Sequence, residues 1–94
     1  MLDHWLSAHP TLDNSRDRSL VLGALALAQV QAGQVQDSLR SGRRALALSK
    51  ESKNAWTHIY STLCLAYGLL DAGAYEEALV LMQDAVAQRG LFLQ

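Results

Sequence analysis

The residues of this 94-residue chain with the most chemical reach are His4, His9, His58, Cys64 and the pair Glu76-Glu77. Their spacing denies them a reaction. His4 and His9 are five apart, off the i, i+4 spacing that puts two imidazoles on one helix face, and no Cys or acidic ligand accompanies them. Cys64 lies between Leu63 and Leu65 in an apolar run with no basic neighbour to lower its pKa, so a buried, inert thiol is expected. Glu76 and Glu77 sit where a helix begins, a placement that suits the macrodipole and not an acid–base pair. Neither a Gly-rich phosphate loop nor a nucleophile elbow occurs. These patterns predict no catalytic residue, no metal site and no cofactor. Arg40, Arg43 and Arg44, with Lys50 and Lys53 beyond, form a basic cluster. It suits either a phosphate or acidic partner, or a solvated face whose arginines pair with Asp37 and other exposed carboxylates.

The bulk of the chain belongs to packing. Half of it is hydrophobic, but only 6% is aromatic, and Ala and Leu dominate, which favours helices over strands. No alternating β-branched run lies between turn pairs. A net charge of −1 leaves no electrostatic footprint for nucleic acid or an anionic membrane. The least charged stretch, Leu20 to Gln36, is interrupted by Gln and Gly and is too short for a membrane span. Met1-Leu2-Asp3-His4-Trp5 lacks the basic-then-apolar order of a secretory signal, and a single cysteine makes no internal disulfide. A cytoplasmic setting is expected.

Five helical segments are predicted. Leu2, Trp5 and Leu6 share a helix face that Pro10 ends. After a polar connector, Asn14 or Ser15 caps a helix running to Gln31, and Gly33 follows where a positive φ is needed. Further helices are expected from Val35 to about Lys50, from Ala55 to Asp71 closed by Gly73, and from Tyr75 to Arg89 closed by Gly90. Leu91-Phe92-Leu93 would then stand beyond that stop.

Two stretches repeat at a distance of 40 residues: Ala32-Gly33-Gln34-Val35-Gln36-Asp37-Ser38-Leu39 and Ala72-Gly73-Ala74-Tyr75-Glu76-Glu77-Ala78-Leu79. Leu25-Ala26 likewise falls on Leu65-Ala66, and Ala45 and Ala47 fall on Ala85 and Ala87. Such a period means one supersecondary unit stacked on its copy. The small residues Ala26, Ala66, Ser38 and Ala78 let paired helices approach, Leu25, Leu39, Leu65 and Leu79 fill the space beside them, and Val35 and Tyr75 cover the turns.

The order of large and small residues through Leu65-Ala66, Leu69, Gly73, Tyr75, Ala78-Leu79, Met82 and Ala85-Val86 resembles the tetratricopeptide repeat. The first copy follows it more loosely, with Gln29 and Gly42 where large residues are usual. The resemblance covers about Ser19 to Arg89 and implies an all-α chain of antiparallel hairpins stacked as a short α-solenoid. One domain over residues 1–94 is expected, with residues 1–10 ending an earlier repeat, units at 17–50 and 55–89, and residues 90–94 as a tail or the start of a further repeat. The usual spacing is about 34 residues. The longer period here is similar in style to kinesin light chains and to the sensor arms of bacterial LuxR-type activators and signalling ATPases.

In that family the first helix of each pair lines a concave face. Here Trp56, Tyr60, Leu63, Tyr67 and Leu70 form one stripe at helical spacing, with Leu20, Gly23, Leu27 and Val30 as the face of the preceding first helix. The resemblance implies a scaffold or regulatory interaction module that takes a partner helix or peptide on Trp56, Tyr60, Leu63, Tyr67, Leu70 and Leu27, and that binds neither nucleic acid nor membrane directly. Alternatively the stripe is the effector pocket of a transcription regulator's sensor segment, or core packed on neighbouring helices of a longer array. Clamping of a peptide carboxylate, which in this family uses Lys, Arg and Asn, is not expected with Leu, Gly, Tyr and Val at the matching positions. Open ends at both sides of two units further predict self-association or continuation into more repeats.

Overall fold

The computed structural model describes the backbone of residues 15–93 and the side chains of residues 15–87. The expected N-terminal helix Leu2–Ala8, its end at Pro10, the cap at Asn14, and His4 and His9 lie outside the described residues. Four helices follow in order: α1 (Ser15–Gln31), α2 (Val35–Ser52), α3 (Ala55–Asp71) and α4 (Tyr75–Leu93). No strand occurs among the described residues, and the chain is all-α.

The turns inside the two hairpins are built alike. Gly33 and Gly73 take φ of 81° and 84°, a left-handed conformation that costs glycine little. The Gln34 amide donates to the Gln29 carbonyl (2.8 Å) and the Gly33 amide to Val30 (3.1 Å); forty residues on, Ala74 donates to Leu69 (2.9 Å) and Gly73 to Leu70 (3.1 Å). This pairing is a Schellman motif, which satisfies carbonyls that the helix end would otherwise leave open.

The turn between hairpins is different. α2 continues beyond the expected end at Lys50 to Ser52, and Lys53 supplies the left-handed residue at φ 55°. Asn54 then caps α3, its Oδ1 accepting from the Thr57 amide at 3.0 Å. α4 also departs from expectation. It does not stop at Gly90 but runs to Leu93. Glycine in a helix costs only about 1 kcal/mol, and Leu91-Phe92-Leu93 beyond it favour helix.

Each helix touches its successor, and α3 also touches α1, so α3 lies in the cleft of the first hairpin. Small residues make that approach close. Ala26, Ala45, Ala66 and Ala78 have no exposed surface. An added Cβ on Gly42 would lie 3.1 Å from the Leu65 Cα, so Leu65 sits directly on the α2 backbone there. One apolar cluster gathers Leu65, Ala66, Leu69 and Ala78 with Leu39, Leu46, Leu81 and Met82 around it; a second centres on Leu22 and Ala45. Burying each leucine contributes about 1.5–3 kcal/mol.

Buried hydroxyls fix the register. The Ser19 hydroxyl of α1 donates to the Ala45 carbonyl of α2 at 2.6 Å and lies 2.7 Å from the Ser61 hydroxyl of α3, tying three helices at one point. Ser38 donates to the Ala26 carbonyl at 2.8 Å. Ser41 donates to the Gln29 side chain at 2.8 Å, which accounts for a polar residue where a large apolar one was expected. Two other expectations fail. Tyr75 does not cover its turn, and Leu79 does not fill the space beside Ala78; they are 66% and 56% exposed. Nothing among the described residues covers α4 on the side where α3 covers α2.

Candidate functional site

The candidate surface is the outer stripe of α3. At about 100° per residue, Tyr60 leads Trp56 by about 40° while Leu63 and Leu70 trail it by about 20° and 40°, so the five side chains share a sector of about 80°. The opposite face of α3 carries Ser61, Thr62, Leu65 and Leu69, all buried. α3 therefore packs a mixed face of leucines and hydroxyls inward and keeps a second, apolar face outside it. Trp56, Leu63, Tyr67 and Leu70 are 59%, 46%, 56% and 40% exposed.

The two edges of the stripe differ. Tyr60 leans towards α1, where bare backbone makes room for its ring; a Cβ on Gly23 would come within 2.9 Å of its Cε2. There Arg16, Leu20, Asn54, Trp56, Thr57 and Tyr60 line an open cleft of about 380 Å³. On the other edge Leu63 joins Ile59, Met82, Ala85 and Val86 around a shallow apolar hollow of about 230 Å³. The face expected on α1 is only partly available. Leu20 is exposed, Leu27 half-buried, Gly23 lies beneath Tyr60, and Val30 is buried. Among the described residues no helix covers the stripe; further helices of a longer array would be needed to make it core.

Cys64 is buried behind the stripe. Burial pushes its thiol up, an effect that a hydrogen bond from Tyr60 partly offsets. The Tyr60 hydroxyl is itself raised, first by burial and then by the neighbouring thiol. A thiol so placed is a poor nucleophile. His58 lies against α4, its Nε2 2.9 Å from the Asp84 carboxylate. No group of three His, Cys, Asp or Glu side chains is placed to hold a metal among the described residues. No helix there is long and apolar enough to cross a membrane.

The basic cluster is partly engaged by carboxylates. Arg40 pairs with Asp37 at 3.2 Å, one turn away. Arg43 reaches Glu77 at 2.9 Å, joining α2 to α4, a pair that spacing along one helix could not reveal. Both pairs are solvent-exposed and contribute little to stability. Lys50 and Lys53 border a separate shallow pocket with Ser49, Asn54, Ala55 and His58.

No family model matches this chain, and no curated protein or solved structure matches it significantly.

Proposed function

We propose that this chain is a protein-interaction module of the tetratricopeptide kind, part of a cytoplasmic regulatory or signalling protein, and not an enzyme. Its binding element is the α3 stripe, with Leu27 of α1 alongside, and its partner is an amphipathic helix or apolar peptide. The single observation that carries this reading is the exposure of Trp56, Leu63, Tyr67 and Leu70 on a helix whose other side is already fully packed. A helix laid along the stripe would insert residues at i, i+4 and i+7 between those side chains. The exposed Tyr67 hydroxyl would orient it, as an aromatic anchor with a polar tip commonly does at interfaces.

Trp56 is a built-in reporter. In a Trp5→Phe background, a synthetic amphipathic peptide with leucines at i, i+4 and i+7 should shift Trp56 emission to the blue saturably. A scrambled peptide of the same composition should not. Equal shifts from both peptides, or no shift from either, would refute the reading.

The cleft at Trp56 and Tyr60 supports a second reading, an effector-binding sensor segment, because its volume lies within the range of small-ligand sites. A small apolar effector would be displaced by filling that cleft with Leu20→Trp. The peptide along Leu63, Tyr67 and Leu70 would stay bound to the same variant.

A further inference from the structure

The 40-residue repeat supplies its own template for what belongs on the bare side of the second hairpin. In the first hairpin Leu39 and Leu46 of α2 are half-buried against the cluster that α3 brings to them. Their counterparts on α4, Leu79 and Val86, are 56% and 69% exposed. The covering side shows the same asymmetry. On α3, Ser61, Cys64, Leu65 and Gly68 are all buried. Forty residues earlier on α1, Ala24 and Ala28 are exposed, and Val21 and Leu25 are half-buried. Among the described residues, one end thus presents a socket without its helix, and the other the matching helix without its socket.

We propose that this chain stacks head to tail on a second copy of itself, α1 of one copy seating on α4 of the next as α3 seats on α2 within each chain. The contacts translate across the repeat with some loss of closeness. A Cβ on Gly68 would lie 2.9 Å from the Ser38 hydroxyl oxygen, so that contact admits no further atom. Between copies the counterpart of Ser38, Ala78, is already without exposed surface, so Ala28 meets the exposed Leu79 beside it, as Gly68 meets Leu39. Arg43 and Glu77, 2.9 Å apart within the chain, become Gln83 and Asp37, with no like charges opposed. Leu65 on Gly42 becomes Leu25 on Met82. The outer atoms of the flexible, unbranched Met82 can turn aside, but its Cβ cannot, so α1 must stand farther from α4 than α3 stands from α2, and the joint between copies is looser than the joint within one. A head-to-tail joint of this kind is heterologous and does not close at a dimer. The inference uses α1 and α4, and its socket shares Met82 and Val86 with the hollow at one edge of the α3 stripe.

Analytical ultracentrifugation of the whole chain over a dilution series tests it, with Leu79→Glu destroying the socket and Ala28→Glu the matching helix. Both substituted residues are exposed, and circular dichroism should show both variants as helical as the parent. The parent should grow with concentration past dimer to trimer and larger species. Each variant alone should stay at monomer mass, and an equimolar mixture should give a dimer that grows no further, since each variant retains the end the other lacks. A parent that is monomeric at every concentration would overturn the inference. So would an Ala28→Glu variant that still dimerises alone, because that would show two α4 faces meeting each other.

Discussion

Gly42→Ala sets two effects of known size against each other. Glycine within a helix is about 1 kcal/mol worse than alanine, so on local grounds the substitution should stabilise α2. The new methyl would lie 3.1 Å from the Leu65 Cα, 3.1 Å from its Cδ1 and 3.2 Å from its Cβ. Carbon contacts are optimal at about 3.5–4.0 Å. A Cα atom cannot rotate out of the way, so α2 and α3 must separate by several tenths of an ångström. Overpacking of this sort costs about 1–3 kcal/mol, which leaves a net change between nothing and a loss of about 2 kcal/mol. Ala47→Gly, at an exposed position of the same helix, calibrates the local term. It should lower the melting temperature by about 4–8 °C, the shift that about 1 kcal/mol produces in a domain of this size. Thermal unfolding of both variants decides the matter. If Gly42→Ala raised the melting temperature by as much as Ala47→Gly lowered it, Leu65 would not rest on Gly42, and the stacking of the hairpins would be wrong.

Ala78→Leu should cost on the order of 1–3 kcal/mol, because Ala78 has no exposed surface. Glu76→Ala, on the exposed start of α4, should stay within about 0.5 kcal/mol, a difference that denaturant midpoints resolve. Asn54→Ala removes the acceptor for the Thr57 amide and should cost about 1 kcal/mol in the same assay, whereas Asn54→Asp should retain most of the stability. The fold raises both the Cys64 thiol and the Tyr60 hydroxyl, so it favours their neutral forms. That stabilisation is fully present below the unfolded thiol value of about 8.5 and is lost as pH rises through the folded values. Urea midpoints should therefore fall from pH 8 upwards, and Cys64→Ala should flatten the decline; an unchanged slope would show that the thiol does not contribute.

Much of the framework was legible because turns and faces are local properties. Gly33 and Gly73 announced left-handed helix ends, and Ala66 and Ala78 announced close contacts, since each residue type solves a problem set by its immediate neighbours. Gly90 misled for the same reason. A glycine permits a stop but does not enforce one, and α4 passes through it. What the sequence withheld was relational. Leu39 and Leu79 are identical in type and phase, yet among the described residues only Leu39 has a helix over it. The seat of Leu65 on Gly42 and the contact of Arg43 with Glu77 join elements whose distance no periodicity encodes. The α3 stripe carried the same ambiguity, because an apolar face looks alike whether it is covered or bare. Its exposure became readable only once α1, α2 and α4 were in place.

The central claim is that the α3 stripe exists for binding and not for folding. Tyr67→Ala separates the two roles most directly, since Tyr67 is 56% exposed and lies mid-stripe. Its denaturant midpoint and its affinity for the leucine-bearing amphipathic peptide should be measured on the same preparation. Stability should fall by less than about 1 kcal/mol, in keeping with a surface side chain. Binding should weaken by about 2 kcal/mol or more, roughly thirtyfold, as removal of an aromatic anchor does. A large loss of stability with affinity unchanged in the folded fraction would contradict the claim and return the stripe to the core.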